Sequence, residues 1–265
     1  MSHDNVDRYK DLLTKLGNSL KNDHSMTRLK LRKYILLLES VFSKADLSLD
    51  KQKQLIKYCK KSHFLSIFHK AYEKYEIDLE KESSKYLIRH NSSGIKNEIG
   101  RYPYYQAYLK AIRAEKNLAQ IKHGDKVAFV GSGPLPISAL LLYELLHVRI
   151  DCFEKDKESA KLSKIIIDKL SYAKSIKIFY KNAIKQDFSN YSVVILAVMA
   201  EPKSILLKTI WQSIKKGSRI IYRSPSIARQ AYYKDTNKVL DNYKKFERKR
   251  IKRKNSSTLS LIVKN

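Results

Sequence analysis

Up to about residue 122, apolar positions recur every three or four residues, the period of helices that bury one face. This spacing predicts helices over Tyr9–Leu20, Ser25–Ser43 and Leu49–Lys60, with Asp46 and Ser48 placed as caps before the third. A longer periodic stretch runs from Phe64 to Tyr86 and breaks at His90-Asn91-Ser92-Ser93-Gly94, a cluster of turn-forming residues. Pro103 then opens a helix from Tyr104 to Gln120, as suits a proline in a first turn.

From Lys126 the rhythm changes to short apolar runs alternating with helical segments. Strands are expected at Val127-Ala128-Phe129-Val130, Val148–Phe153, Ser175–Tyr180, Ser192–Val198 and Ser218–Tyr222. Helices are expected at Ile137–His147, Lys157–Leu170 and Pro202–Ile214, and Tyr243–Arg250 with Thr258–Val263 reads as a closing antiparallel pair. Strands alternating with helices imply a parallel, doubly wound sheet. Such sheets bind ligands beyond the carboxyl ends of their strands. The expected fold class is therefore α/β, with an all-helical domain over residues 1–122 and a Rossmann-like domain over residues 123–265.

The strand ends carry the candidate chemistry. Gly131-Ser132-Gly133-Pro134-Leu135-Pro136 follows the first strand, and glycines there let backbone approach a ligand closely. A nicotinamide-type fingerprint needs glycine at 136, where this chain has Pro136. A helix N-terminus entered this way receives a carboxylate as readily as a phosphate, which suits the methionine end of S-adenosylmethionine. Glu154 ends the second strand about 20 residues after Gly133, where an acid can accept from both ribose hydroxyls. After the fourth strand comes Ala197-Val198-Met199-Ala200-Glu201-Pro202-Lys203, without the polar-proline-proline-aromatic signature of base-modifying methyltransferases. After the fifth comes Arg223, read either as a bidentate clamp for a substrate carboxylate or as the partner of a helix carboxylate.

Composition changes this picture little. With 43% hydrophobic residues the chain of 265 can bury a sizeable core. Its formal charge of +28 is spread over most segments and is densest from Lys244 to Lys254, so nonspecific attraction to polyanions is expected. No RNA-binding fingerprint with interleaved aromatics accompanies it. Cys59 and Cys152 lack metal-ligand spacing, and His63, His69, His123 and His147 do not converge, so no metal site is expected. No apolar run reaches the roughly 18 residues of a membrane span. The start Met1-Ser2-His3-Asp4 lacks the pattern of a signal peptide, which makes the cytoplasm the expected compartment.

Taken together, four blocks resemble the nicotianamine synthase family, nearest its short archaeal-type members. They are Phe129 to Pro136, Met199 to Lys203, Arg219 to Ser224, and Arg101-Tyr102-Pro103-Tyr104-Tyr105 with the helix leading to Tyr108. The similarity of order and spacing covers about residues 60–265. The resemblance implies a Rossmann-like domain of the S-adenosylmethionine-dependent methyltransferase type, but transfer of the 3-amino-3-carboxypropyl group rather than the methyl. The implied donor is S-adenosylmethionine, and the released product is 5′-methylthioadenosine. It makes Glu80 the catalytic proton acceptor, with Glu82 and Glu76 as loose alternatives, and Tyr108 the residue holding the transferred arm. The donor site it implies is Gly131, Ser132, Gly133, Pro134, Leu135, Glu154, Asn182 and Ala197, with Asp187 as a substitute for Asn182 at the adenine. Tyr105 and Arg223 would face the acceptor, a small amino-acid amine, and the helical domain would act as a lid. The product would be a nicotianamine-like metal chelator, and a homodimer is compatible with the resemblance. The rival reading is an S-adenosylmethionine-dependent RNA-modifying transferase, favoured by charge and disfavoured by the missing base-recognition signature.

Overall fold

A computed structural model gives the fold, with residues 4–23, 25, 27–45, 47–89, 92–243, 248–251 and 257–264 described. Among these, six helices precede the first strand: α1 (Asp4–Asn22), α2 (Arg28–Glu39), α3 (Leu49–Lys61), α4 (Phe64–Arg89), α5 (Ser92–Gly100) and α6 (Tyr105–Ala119). A π-helical turn, Ser40–Lys44, extends α2. Ser48 caps α3 by accepting from the Lys51 amide, which satisfies one of the first-turn donors of that helix. Asp46, the other expected cap, lies outside the described residues, as do His90 and Asn91 of the expected turn and Met1 to His3.

The expected turn is a correction. Ser92–Gly100 is helix, because Ile95 and Ile99 sit one turn apart and are buried, and that burial outweighs the turn preference of Ser92-Ser93-Gly94. Packing also divides the chain elsewhere than between residues 122 and 123. One compact unit comprises Met1–Leu79, Ser224–Asn237 and Lys252–Thr258, and the other Glu80–Arg223, Lys238–Ile251 and Leu259–Asn265.

The first unit buries the inward faces of its helices: Leu13, Leu16 and Leu20 of α1, Leu31, Ile35 and Leu38 of α2, Leu55 and Cys59 of α3, and Phe68 and Tyr72 of α4. It also buries a charge. Arg229 is ringed by Tyr72, Tyr232 and Tyr233, with its guanidinium carbon 5.0 to 5.7 Å from the three ring centres. Tyr233 Oη in turn donates to Glu76 at 2.9 Å.

The second unit holds the sheet. Its strands are β1 (Lys126–Val130), β2 (Arg149–Glu154), β3 (Ile176–Tyr180), β4 (Val193–Leu196), β5 (Arg219–Pro225), β6 (Arg248–Ile251) and β7 (Ser257–Val263), in the order β3-β2-β1-β4-β5-β7-β6. Strands β1 to β5 pair in parallel, and β6 pairs antiparallel with β7. The crossovers are α7 (Ile137–Leu146), α8 (Lys157–Lys169) and α9 (Lys203–Ser213). Between β2 and β4 the strand β1 is covered on both faces, so it reads as an unbroken apolar run. The chain order reverses at β1, and the crevice beside its carboxyl end is where this topology receives ligands.

Among the described residues the closing antiparallel pair forms between Arg248–Ile251 and Ser257–Val263. Tyr243 belongs instead to a 3₁₀ segment, Asn237–Tyr243, and packs edge-on against Trp211. Residues 244–247 and 252–254 of the basic run lie outside the described residues.

Candidate active site at the carboxyl end of the sheet

The glycine turn departs from β1 where the hydrophobic strand runs out. Gly131 and Gly133 both hold positive φ, +80° and +71°, conformations that disfavour any side chain. The space above them is occupied too. A Cβ on Gly131 would lie 3.1 Å from Ala200 Cβ and 3.4 Å from Ala197 Cβ, and one on Gly133 would lie 2.5 Å from Glu80 Oε2. Glycine at 133 thus leaves room for a carboxylate directly over the turn.

The turn is tied down on several sides. Gly131 N–H donates to Phe153 O at 2.9 Å and Gly133 N–H to Glu154 Oε2 at 2.9 Å. The other oxygen of Glu154 accepts from Asp156 N–H at 2.9 Å. Each carboxylate oxygen accepts more than one hydrogen bond, so Glu154 keeps capacity for hydroxyl donors. Two buried serines take the turn's carbonyls: Ser163 Oγ donates to Gly133 O at 2.6 Å, and Ser84 Oγ donates to Pro134 O at 2.9 Å. Ser132 Oγ is buried and has no oxygen or nitrogen partner among the described residues, although the Cys152 thiol lies beside it. An orphaned hydroxyl at a strand end is a group that a polar ligand can satisfy. Pro134 and Leu135 complete the turn, and Leu135 is buried beneath it.

Glu80 and Tyr108 come together. Glu80 is 7% exposed despite lying on a charged stretch of α4, and Tyr108 Oη of α6 donates to its Oε1 at 3.5 Å. Ser84, one helical turn after Glu80, seats the same face of α4 on the turn. The two alternatives lie elsewhere. Glu82 is exposed, and Glu76 is engaged by Tyr233 and Arg229 in the first unit, where burial raises its pKa against the opposing effects of those two groups.

Ala197 and Ala200 form the wall opposite Gly131. The Ala197 N–H donates to Val130 O at 3.1 Å, and the Ala200 N–H closes a turn onto Ala197 O at 3.2 Å. Lys203, first residue of α9, sends its ammonium back into this wall to donate to Ala197 O and, at 3.2 Å, to Arg223 O. Burial pulls the Lys203 pKa down to about 7; Glu201 acts to raise it and Arg223 to lower it.

The adenine candidates are exposed. Asn182 Oδ1 caps the 3₁₀ turn Ala183–Lys185 by accepting from Ile184 N–H at 3.1 Å, which leaves its amide nitrogen to face outward ligands. Asp187 spends both oxygens on Ser189, at 2.9 Å to its amide and 2.6 Å to its hydroxyl. Tyr105 is half-buried, one turn ahead of Tyr108 on α6.

Arg223 meets a carboxylate of its own chain. Its Nε and Nη2 form a bidentate pair with Glu115 of α6 at 2.7 and 2.9 Å, its Nη1 reaches Ser138 at 3.2 Å, and it stacks 5.0 Å from the Phe129 ring. Glu115 is fully buried, so in this structure the guanidinium is the partner of a helix carboxylate, the second of the two readings that the sequence leaves open. The sequence reading did not assign Ser84, Ser163, Glu115 or Lys203. Among the described residues, no three His, Cys, Asp or Glu side chains gather as metal ligands, and no helix is long and apolar enough to cross a membrane.

The fold is matched by solved structures. MtNAS in complex with MTA and tNA superposes with a TM-score of 0.85 at 22% identity, over 98% of this chain and 97% of that one. A Methanococcus maripaludis protein provisionally classed as an S-adenosyl-L-methionine-dependent methyltransferase aligns with a TM-score of 0.54 at 15% identity, over 66% of this chain and 94% of its own. The likeness is one of fold: a Rossmann-like α/β domain of the kind these structures share, carrying added helices. The family model for nicotianamine synthase protein matches residues 35–264, and the chain belongs to the nicotianamine synthase family. Among curated relatives, the L-histidine 2-aminobutanoyltransferase of Yersinia pestis is 26% identical over 120 residues, 45% of each chain. The chain thus spans under half the length of that relative.

Proposed function

We propose that the chain transfers a 3-amino-3-carboxypropyl group from S-adenosylmethionine to an amino-acid amine, releases 5′-methylthioadenosine and yields a nicotianamine-like metal chelator. The observation that carries this reading is the carboxylate of Glu80 held over Gly133, with Tyr108 Oη beside it. An ammonium acceptor must lose a proton before its nitrogen has a lone pair, and the Glu80 carboxylate is placed to take it. Family membership and the MTA-bound neighbour point the same way.

The residues present fit the donor. The glycine cradle admits close backbone approach, Ser132 Oγ has no oxygen or nitrogen partner among the described residues, and both Glu154 oxygens retain acceptor capacity. In this reading the turn receives the methionine end, Glu154 the ribose hydroxyls, and Asn182 the adenine edge. When bound, the sulfonium supplies an electrophilic carbon: a nitrogen–carbon bond forms while the carbon–sulfur bond breaks and its electron pair leaves on sulfur. Glu80 takes a proton from the acceptor ammonium so that the free amine attacks, and Tyr108 orients both the carboxylate and the arm. Selection of the arm over the methyl follows from position alone, since both carbons are activated by the same charge.

The test is incubation of purified protein with S-adenosylmethionine and, separately, glutamate, histidine or no other amine, followed by chromatography and mass spectrometry. Release of 5′-methylthioadenosine with a product heavier by the aminocarboxypropyl unit is expected. Release of S-adenosylhomocysteine in the presence of RNA would instead establish the RNA-modifying reading.

A further inference from the structure

The Met199 to Lys203 block leaves one group without a part in the reaction above: the buried ammonium of Lys203. We infer that Lys203 is a positioning residue for the donor site, tying the carbonyl after β4 to the carbonyl near the end of β5 and so holding the Ala197–Ala200 wall against Gly131. This rests on the donor reading of the glycine turn.

A lysine chain is among the costliest groups to bury, and Lys203 is only 1% exposed. Its position on α9 makes the burial obligatory. It shares the inward face with Leu206, Leu207 and Ile210, at helical spacings of three, four and seven. The ammonium has three donors. Two go to Ala197 O and Arg223 O, and the ammonium also lies 5.0 Å from the Tyr222 ring centre.

The charged and titratable neighbours are few. Glu201 accepts from the Lys203 amide at 3.0 Å, Lys155 donates to Glu201 O at 3.4 Å, and Arg223 is neutralised by Glu115. The wall that the ammonium grips stands close to the turn: a Cβ on Gly131 would lie 3.1 Å from Ala200 Cβ and 3.4 Å from Ala197 Cβ, so only glycine leaves space there. Loosening Ala197 O, which also closes the turn to Ala200 N–H, therefore shifts the surface that a donor molecule must fit.

The experiment compares wild-type protein with K203M and K203R. Calorimetry gives the dissociation constant for S-adenosylmethionine, and initial rates give kcat and KM for donor and acceptor. Circular dichroism establishes that each variant is folded. K203M leaves two buried carbonyls short of a donor and is expected to weaken donor binding about tenfold, roughly 1.4 kcal/mol. Its donor KM should rise in step, while kcat and the acceptor KM stay within about twofold. K203R keeps charge and donors and should recover most of the loss. If K203M does not fold, K203Q, which keeps an amide donor without the charge, takes its place.

A folded K203M or K203Q with wild-type donor affinity, or a loss confined to kcat, overturns the role given to Lys203 alone. Wild-type protein that does not bind S-adenosylmethionine overturns the donor reading itself.

Discussion

Glu80 illustrates how a single position acquires chemistry from its surroundings. On sequence it belongs to a run of charges, Leu79-Glu80-Lys81-Glu82, and most such residues are solvated. Its neighbour Lys81 behaves that way, reaching out to Glu158 at 2.6 Å, while Glu80 turns inward onto the glycine turn. The consequence is a sharp contrast between two carboxylates two residues apart. Glu80→Gln keeps the shape and removes the proton acceptor, so kcat for methylthioadenosine release should fall about 100-fold or more, with donor affinity little changed. Glu82→Gln should leave both constants within about twofold. Steady-state assays on the two variants, with calorimetry for donor binding, check the pair; equal losses would remove Glu80 from its role. The sequence alone left Glu76, Glu80 and Glu82 open because their loose alignment could not say which one faces the glycine turn. Lys203, by contrast, was legible in principle: a lysine in phase with Leu206, Leu207 and Ile210 is a charge on an apolar stripe. Ser84 and Ser163 gave a weaker signal, since buried serines on helices are common and only their reach to the turn carbonyls makes them matter.

At the scale of elements, the join between α6 and the sheet depends on an ion pair as well as on apolar contact. Glu115 follows Ile112 and precedes Ala119 on the buried face of α6, and it meets Arg223 near the end of β5. A buried pair of this kind contributes little compared with a well-packed apolar substitute, yet removing one partner strands the other's charge. Glu115→Gln should therefore cost about 3 kcal/mol or more of stability, and Arg223→Met a similar amount, whereas the double variant Glu115→Leu with Arg223→Met should recover most of it. Denaturant unfolding of the four proteins measures the coupling; strictly additive losses would show that the two side chains do not depend on each other. The same pair matches one of the two readings that the sequence leaves open for Arg223, the carboxylate of a helix. A strand-end arginine is equally suited to a ligand carboxylate and to one from its own chain, and nothing in local spacing ranks a partner 108 residues away. Elements themselves were readable where a period was sustained, as in α4 and the five parallel strands. The structure differs at Ser92-Ser93-Gly94, where the turn residues are local but Ile95 and Ile99 of the same helix find their burial in the fold.

For the molecule as a whole, the question is what a formal charge of +28 does to a protein whose proposed chemistry concerns a small amine. Few cations are used internally: Lys203 grips backbone carbonyls, Arg223 pairs with Glu115, and Arg229 sits among tyrosines and Glu76. Most of the other lysines face solvent on helix exteriors, Lys53, Lys85 and Lys96 among them. Surface charge of this sort acts through released counterions, so it attracts any polyanion and carries no sequence information. RNA and heparin should then bind with similar strength at low salt, and affinity should fall by orders of magnitude between about 50 and 200 mM salt, linearly in the logarithm of concentration. Methylthioadenosine release should be indifferent to added RNA once salt is raised. Filter binding across a salt series, run beside the transfer assay, separates the two effects. RNA binding that persists at high salt, discriminates between sequences or accelerates turnover would mean that the charge serves recognition, and would revive the RNA-directed reading. A salt-steep, sequence-blind response would leave the charge as a property of the surface, independent of the Glu80 and glycine-turn site in the sheet crevice.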